Sequence, residues 1–127
     1  PADLKQHILI HDESLRIHDR IDWRSYFEFA GLSGVDIASG LHFNRAADAY
    51  EAAIRGFGVT LAKSALIHTD LTSGRLVKLF DLSMPSEYSY DVIGIEPTIS
   101  SAKVLAFRNW LEQEAVREGA FAGSSRL

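Results

Sequence analysis

The chain reads as an α/β domain, a three-layer sandwich of helices around a mostly parallel sheet. Three observations carry that reading. Short apolar runs alternate with segments of helical periodicity, the pattern of strand–helix–strand units. An alanine-rich helical segment passes through Gly56-Phe57-Gly58 directly into another apolar run, Val59-Thr60-Leu61-Ala62. Capping residues and glycines stand at the junctions, where helices start and stop.

The elements follow in order. His7-Ile8-Leu9-Ile10-His11 is a short apolar run that ends in Asp12-Glu13, the signature of a buried strand. Residues 12 to 21 are polar and mixed, and predict a loop. Asp22 caps a short helix whose apolar residues Trp23, Tyr26, Phe27 and Ala30 recur at helical spacing, with Gly31 to stop it. Val35 to Phe43 is the next strand, with Gly34 and Gly40 at its margins.

Asn44 is a good N-cap for a helix over 45–55, whose small face (Ala46, Ala49, Ala53, with Tyr50) allows close approach to a sheet. Gly56 suits the left-handed residue that ends a helix, and Phe57 to Ala62 is then a strand. Ser64 to Thr72 predicts a short helix ending near Gly74, and Arg75 to Phe80 a strand. Ser83 to Glu87 is a loop containing Pro85, and Tyr88 to Ile95 a further strand before Pro97. The last helix, about Ser100 to Arg117, places Val104, Phe107, Leu111 and Ala115 on one stripe with Trp110 beside it. Gly119 to Leu127 reads as a frayed tail.

A length of 127 residues supports one core, and 46% hydrophobic with 24% charged residues is ordinary for a soluble globular protein. No apolar run approaches the roughly 20 residues of a membrane span, and none resembles a signal peptide. The absence of cysteine excludes disulfides and thiolate metal sites. Thirteen basic residues are scattered among seventeen acidic ones, for a net charge of −4, whereas a DNA-gripping surface is basic and clustered. These residues are therefore not expected to touch nucleic acid.

Several apparent motifs dissolve on inspection. Gly56-Phe57-Gly58 follows a helix and precedes a strand, the reverse of the order a phosphate-binding loop needs. Ser33, Ser39 and Ser64 lack the context of a nucleophile elbow. His7 and His11 are four apart on a strand, too far for one ion, and His18, His42 and His68 fall in different elements, so no metal site is expected. Asp12 and Glu13 are adjacent carboxylates on opposite faces of a strand, and a solvated edge explains them. No residue set supports a reaction class, so the chain is not expected to be an enzyme and no cofactor is implied.

A sequence of motifs is more informative. Gly40-Leu-His-Phe43, then Ala49-x-x-Ala52-Ala53-x-x-Gly56-x-Gly58-Val59-x-Leu61, then Leu71-x-x-Gly74-Arg75-Leu76-Val77-x-x-Phe80, closes on Phe107-Arg108-x-Trp110-Leu111-x-x-Glu114-Ala115. In this order and spacing the set resembles LysR-type transcriptional regulators, and within them the subgroup related to the glycine-cleavage activator. The resemblance covers about residues 1 to 118. One departure is Ala62-Lys63, where many members carry a proline after the strand.

The resemblance implies a two-lobed effector-binding domain similar to periplasmic binding proteins (type II), of which this chain resembles the second lobe, about 7–96. The helix of about 97–118 would return to the first lobe, and 119–127 would be a tail. Pro1 to Gln6 and Glu96-Pro97 would be the hinge crossings. DNA would be bound only through an N-terminal winged helix-turn-helix outside this chain, so the chain is expected to be a piece of a longer regulator, and its opening Pro-Ala-Asp-Leu fits a trimmed start. The implied setting is cytoplasmic, with no membrane partner. The alternative is a lobe of a solute-binding protein of a transport system, which would bring an export signal.

Ligands of open α/β sheets gather at the carboxyl ends of the strands. The candidates there are Leu41, His42, Phe43 and Asn44 after one strand, and Lys63 with Ser64 after the next. The helix start at Asn44 offers free N–H groups and a positive dipole end suited to a carboxylate or phosphate. The resemblance places contacts with a small-molecule effector at the first of these turns. The bulky face of Phe107, Trp110 and Leu111 is expected to lack its cover from the first lobe and to promote a homodimer.

Overall fold

The computed structural model describes residues 2–14, 21–85 and 91–117. Expectations for residues 15–20 (His18 among them), for 86–90 and for the tail from 118 fall outside that range. The chain divides into two compact units, Pro1–Tyr88 and Ser89–Leu127.

The first unit is built on a parallel three-stranded sheet. Its strands are β1 (Leu9–Asp12), β2 (Leu41–Phe43) and β3 (Val59–Thr60), in the spatial order β2-β1-β3. Ile10, His11 and Asp12 pair with Leu41, His42 and Phe43, while Leu9 and Ile10 pair with Val59 and Thr60. Successive strand residues face opposite ways, and each face of β1 has its own core. Leu9 joins Leu4, Trp23, Tyr26 and Phe27 on one face. Ile10, 1% exposed, joins Ala49, Tyr50 and Ala52 on the other.

Helix α1 (Trp23–Phe29) supplies the aromatic core. Asp22 begins it as the sequence predicts: its side chain accepts from Ser25 N at 2.8 Å, and Ser25 Oγ accepts from Asp22 N at 3.0 Å. This reciprocal pair satisfies two backbone donors that a helix start otherwise leaves open. Trp23 meets Tyr26 edge-on and stacks on Phe27, with ring centroids 5.9 and 5.4 Å apart. Gly31, at φ 66°, ends the helix.

Helix α2 (Ala46–Ile54) supplies the opposite, small-residue core, with Ala49 fully buried. Its N-cap is Arg45, not Asn44, and no side chain caps it. Asn44 instead lies one residue earlier, in the bend that leaves β2. The Gly56-x-Gly58 spacing resolves into two separate demands. Gly56 takes φ 79° after the helix, and a Cβ there would meet nothing within 4 Å. At Gly58 a Cβ would lie 2.2 Å from the Ile8 carbonyl oxygen, so only glycine lets β3 dock on β1. Helix α3 (Ser64–Thr72) has the predicted bounds, and Gly74 follows it at φ 74°.

Four strand expectations are corrected. Val35–Phe43 is a strand only from Leu41, because Asp36 Oδ1 accepts from Ala38 N and Ser39 N and folds the segment into a local turn. Phe57–Ala62 is a strand only at Val59–Thr60, since Gly56 and Gly58 delay its start. Arg75–Phe80 makes no ladder among the described residues. Its last residue Phe80, with Leu82 and Met84 beyond it, docks by side chain on the aromatic core. Residues 91–95, the described part of the expected strand from Tyr88, are also irregular.

In the second unit a single 3-10 turn, Thr98–Ser100, leads into helix α4 (Ala102–Arg117). Ser100 Oγ donates to the Glu96 carboxylate, and Phe107 stacks on Trp110 with centroids 5.7 Å apart. Both rings are about half exposed, at 56% and 52%.

Candidate functional site

The strand order places β1 in the centre, with the chain passing to β2 on one side and crossing to β3 on the other. In such an order the crevice lies at the carboxyl ends, where the connections diverge. The two sides of β1 differ there. Toward β2 the ladder continues to the end of β1, and Glu13 N still donates to Phe43 O at 2.8 Å. Toward β3 pairing stops at Ile10, and the last two residues of β1 extend beyond it.

On the β2 side the polar groups are engaged. His11 and His42, cross-strand neighbours, stack with centroids 4.2 Å apart and planes 5° from parallel. His42 Nδ1 lies 2.7 Å from Glu13 Oε1, and His11 Nε2 lies 3.3 Å from the Ser39 carbonyl oxygen. Cross-strand pairs of this kind fix register. Among the described residues no group of three ligating side chains converges.

On the β3 side a narrow recess opens between β1, the start of α1 and the residue that follows β3. Among the described residues Ile10 to Asp12, Ile21 to Trp23 and Leu61 line it. Asp12 is 8% exposed, so the solvated edge expected from the sequence is a buried carboxylate. Its Oδ1 accepts from Ser14 N and Ser14 Oγ. Its Oδ2 is buried and has no hydrogen-bond partner among the described residues. A buried acceptor left unpaired costs about 1–3 kcal/mol, so such groups call for an explanation. Trp23 is held in the wall by its indole N–H, which donates to Ile10 O at 3.0 Å.

The sequence candidates are distributed rather than gathered. Phe43 is half-buried against the alanine core, and His42 and Asn44 are exposed at the carboxyl edge. Lys63 stands at the N-cap of α3 with Ser64 exposed as its first residue. Leu41 lies at the other end of β2, in a wider recess at the amino edge of the sheet with Lys5, Ile8, Asp36 and Ser39. Sequence reasoning passed over Asp12, Trp23 and Leu61. The available signal was Asp12 itself, an acid at the end of an apolar strand run.

Ionisation is perturbed at few described groups. Backbone N–H of Ala38, then the hydroxyl and N–H of Ser39, hold Asp36 below the usual carboxylate range. A hydrogen bond from Lys78, and then its charge, do the same for Asp81. Burial raises the Tyr26 phenol, with Lys78 opposing.

Comparison with known proteins identifies the lineage. The glycine cleavage system transcriptional activator of Escherichia coli K12 is 32% identical over 118 residues, covering 93% of this chain and 37% of the relative. Its homolog in Haemophilus influenzae is 31% identical over 111 residues, 87% of this chain and 35% of the relative. The HTH-type transcriptional activator AmpR of Pseudomonas aeruginosa is 32% identical over 119 residues, 93% of this chain and 38% of the relative. The chain belongs with the LysR-type transcriptional regulators. It spans a little over a third of the length of the curated relatives it matches. No family model and no solved structure matches it. All three relatives are named as transcriptional activators or a homolog of one, not as enzymes. Among the described residues no helix is long and apolar enough to cross a membrane.

Proposed function

We propose that this chain is the effector-sensing part of a LysR-type regulator: one lobe of a periplasmic-binding-protein-like domain of type II, about 7–96, and a helix, about 97–118, that returns to the other lobe. A small metabolite binds at the carboxyl edge of the sheet, in a cleft completed by the first lobe. Its contacts come from His42, Phe43 and Asn44 and from Lys63 and Ser64, whereas Leu41, the fourth candidate of that turn, stands at the amino end of β2. The protein acts in the cytoplasm as a homodimer or larger oligomer, with DNA bound through a winged helix-turn-helix elsewhere in the regulator. The metabolite works by differential affinity for two arrangements of the lobes, and so shifts their populations.

The observation that carries this reading is the strand order β2-β1-β3 with all pairs parallel, which creates a crevice at the carboxyl edge. The start of α2, which no side chain caps, adds backbone N–H donors beside Phe43 and Asn44. The relatives' printed names support a role in transcription. The half-exposed Phe107–Trp110 stack supports association through α4.

A thermal-shift screen of metabolites on the intact regulator tests the site. One chemical class should raise the melting temperature, and Phe43→Ala or Asn44→Ala should weaken that response. A response indifferent to both substitutions contradicts the site.

A further inference from the structure

Helix α3 begins at Lys63 and Ser64, yet little packing holds it. None of its nine residues is buried, although Ile67 packs partly buried against the alanine core. Helix α2, by contrast, is anchored by buried Ala49, Tyr50 and Ala52. A set of charges joins the two. Gly74, in the left-handed region at φ 74°, turns the chain after α3. Leu76 N then donates to Asp70 O at 3.0 Å, and the turn brings Arg75 beside Asp70. Arg75 Nη1 donates to Asp70 Oδ1 at 2.9 Å, and Nη2 to Glu51 Oε2 at 3.5 Å. The other Glu51 oxygen accepts from Arg55 Nε at 2.8 Å. One planar guanidinium fork thus bridges the last turns of α3 and α2. Exposed ion pairs are weak against a packed core, but α3 has no buried residue to outweigh them.

We infer that Arg75 is a positioning residue: it clamps α3 to α2 and so sets where Lys63 and Ser64 stand at the carboxyl edge. This rests on the reading of that edge as the effector site, and Arg75 acts there only through α3. The helix is about two and a half turns long, so a change of tilt at Asp70 is carried to its first residue. Gly74-Arg75 then has one task in two parts, a turn that returns the chain and a side chain that fastens it.

Hydrogen exchange on the intact regulator tests the clamp without a ligand. In Arg75→Gln the amides of residues 66–72 should exchange about two- to fivefold faster, the reach of an exposed ion-pair network. Those of Ala49 to Ala52 should not change, which separates the effect from a general loss of stability. Glu51→Gln should also speed exchange in α3, and adding it to Arg75→Gln should do little more. Arg75→Lys keeps the charge but not the fork, and should recover only part of the protection. Lys78→Gln breaks an exposed pair with Asp81 and should leave α3 as it is. Unchanged exchange in Arg75→Gln, an equal rise in α2, or independent effects of Glu51→Gln and Arg75→Gln overturn the inference.

A second arm separates it from the broader reading. Arg75→Gln should weaken the melting response of the intact regulator to the metabolite that the thermal-shift screen selects. It should weaken it no further once Lys63→Ala and Ser64→Ala are present. Faster exchange in α3 with an undiminished response removes the positioning role and leaves effector binding standing. Faster exchange in α3, with no metabolite stabilising the regulator, keeps the clamp and removes the effector reading.

Discussion

The two flanks of β1 begin alike and end differently. On the β2 flank, three paired residues carry the ladder to the carboxyl end, and the stacked His11 and His42 close it. On the β3 flank two pairs suffice, and the last two residues of β1 run past Thr60 beside a small recess. A sheet can thus leave a recess by stopping one strand short, with no change to its other side. The truncation has a sequence cause. Gly58 must reach the Ile8 carbonyl before β3 can pair, and Lys63 already begins α3.

The comparison can be broken most forcefully at the wall the recess shares with the aromatic core. Trp23→Ala removes a 3% exposed side chain and the indole bond to Ile10. It should cost about 3–5 kcal/mol in denaturant unfolding. Trp23→Phe keeps the bulk and loses the bond, and should cost about 1 kcal/mol. If the two substitutions cost the same, the Trp23 ring does not pack as described.

Next comes the glycine that sets where β3 begins. Gly58→Ala forces a methyl group into backbone and should destabilise by about 3 kcal/mol. Gly56→Ala meets open space and only the strain of φ 79°, for about 1–2 kcal/mol. The order of these two costs is the measurement. A larger loss at Gly56 would show that helix termination, not strand docking, governs the junction.

The closed flank should be the more forgiving. His42→Ala breaks an exposed ring stack and an exposed contact with Glu13, and should change stability by no more than about 1 kcal/mol. A loss as large as that of Trp23→Ala would mean that the histidine pair, not the aromatic core, secures the β1–β2 edge.

The smallest effect concerns pH. Asp36 titrates below its unfolded value, so its contribution is present above the ordinary carboxylate range and fades as pH falls through the lowered folded value. Amide resonances of Ala38 and Ser39 should report that fading, and Asp36→Asn should flatten it.

Much of this architecture was legible in the residues, for reasons that differ by element. Asp22 with Ser25, and Ser64 to Thr72, are governed by local capping and periodicity, which sequence displays. Val35–Gly40 was misread because alternation of apolar residues does not show that Asp36 will bond its own neighbours. Arg75–Phe80 reads as a strand because it is a short apolar run after a glycine, yet whether a ladder forms depends on a partner elsewhere in the chain. The carboxyl edge could be anticipated from strand–helix alternation, but the unequal lengths of its two flanks could not. Strand pairing decides where β1 outruns β3, and the burial of Asp12 follows only from the fold.

Hydrogen exchange on the intact regulator, with and without a metabolite that raises its melting temperature, tests the central claim most directly. Protection is predicted at the carboxyl edge, in residues 11–14, 41–44 and 61–64. Protection confined to the amino-edge recess of Lys5, Ile8, Asp36 and Ser39 would contradict it.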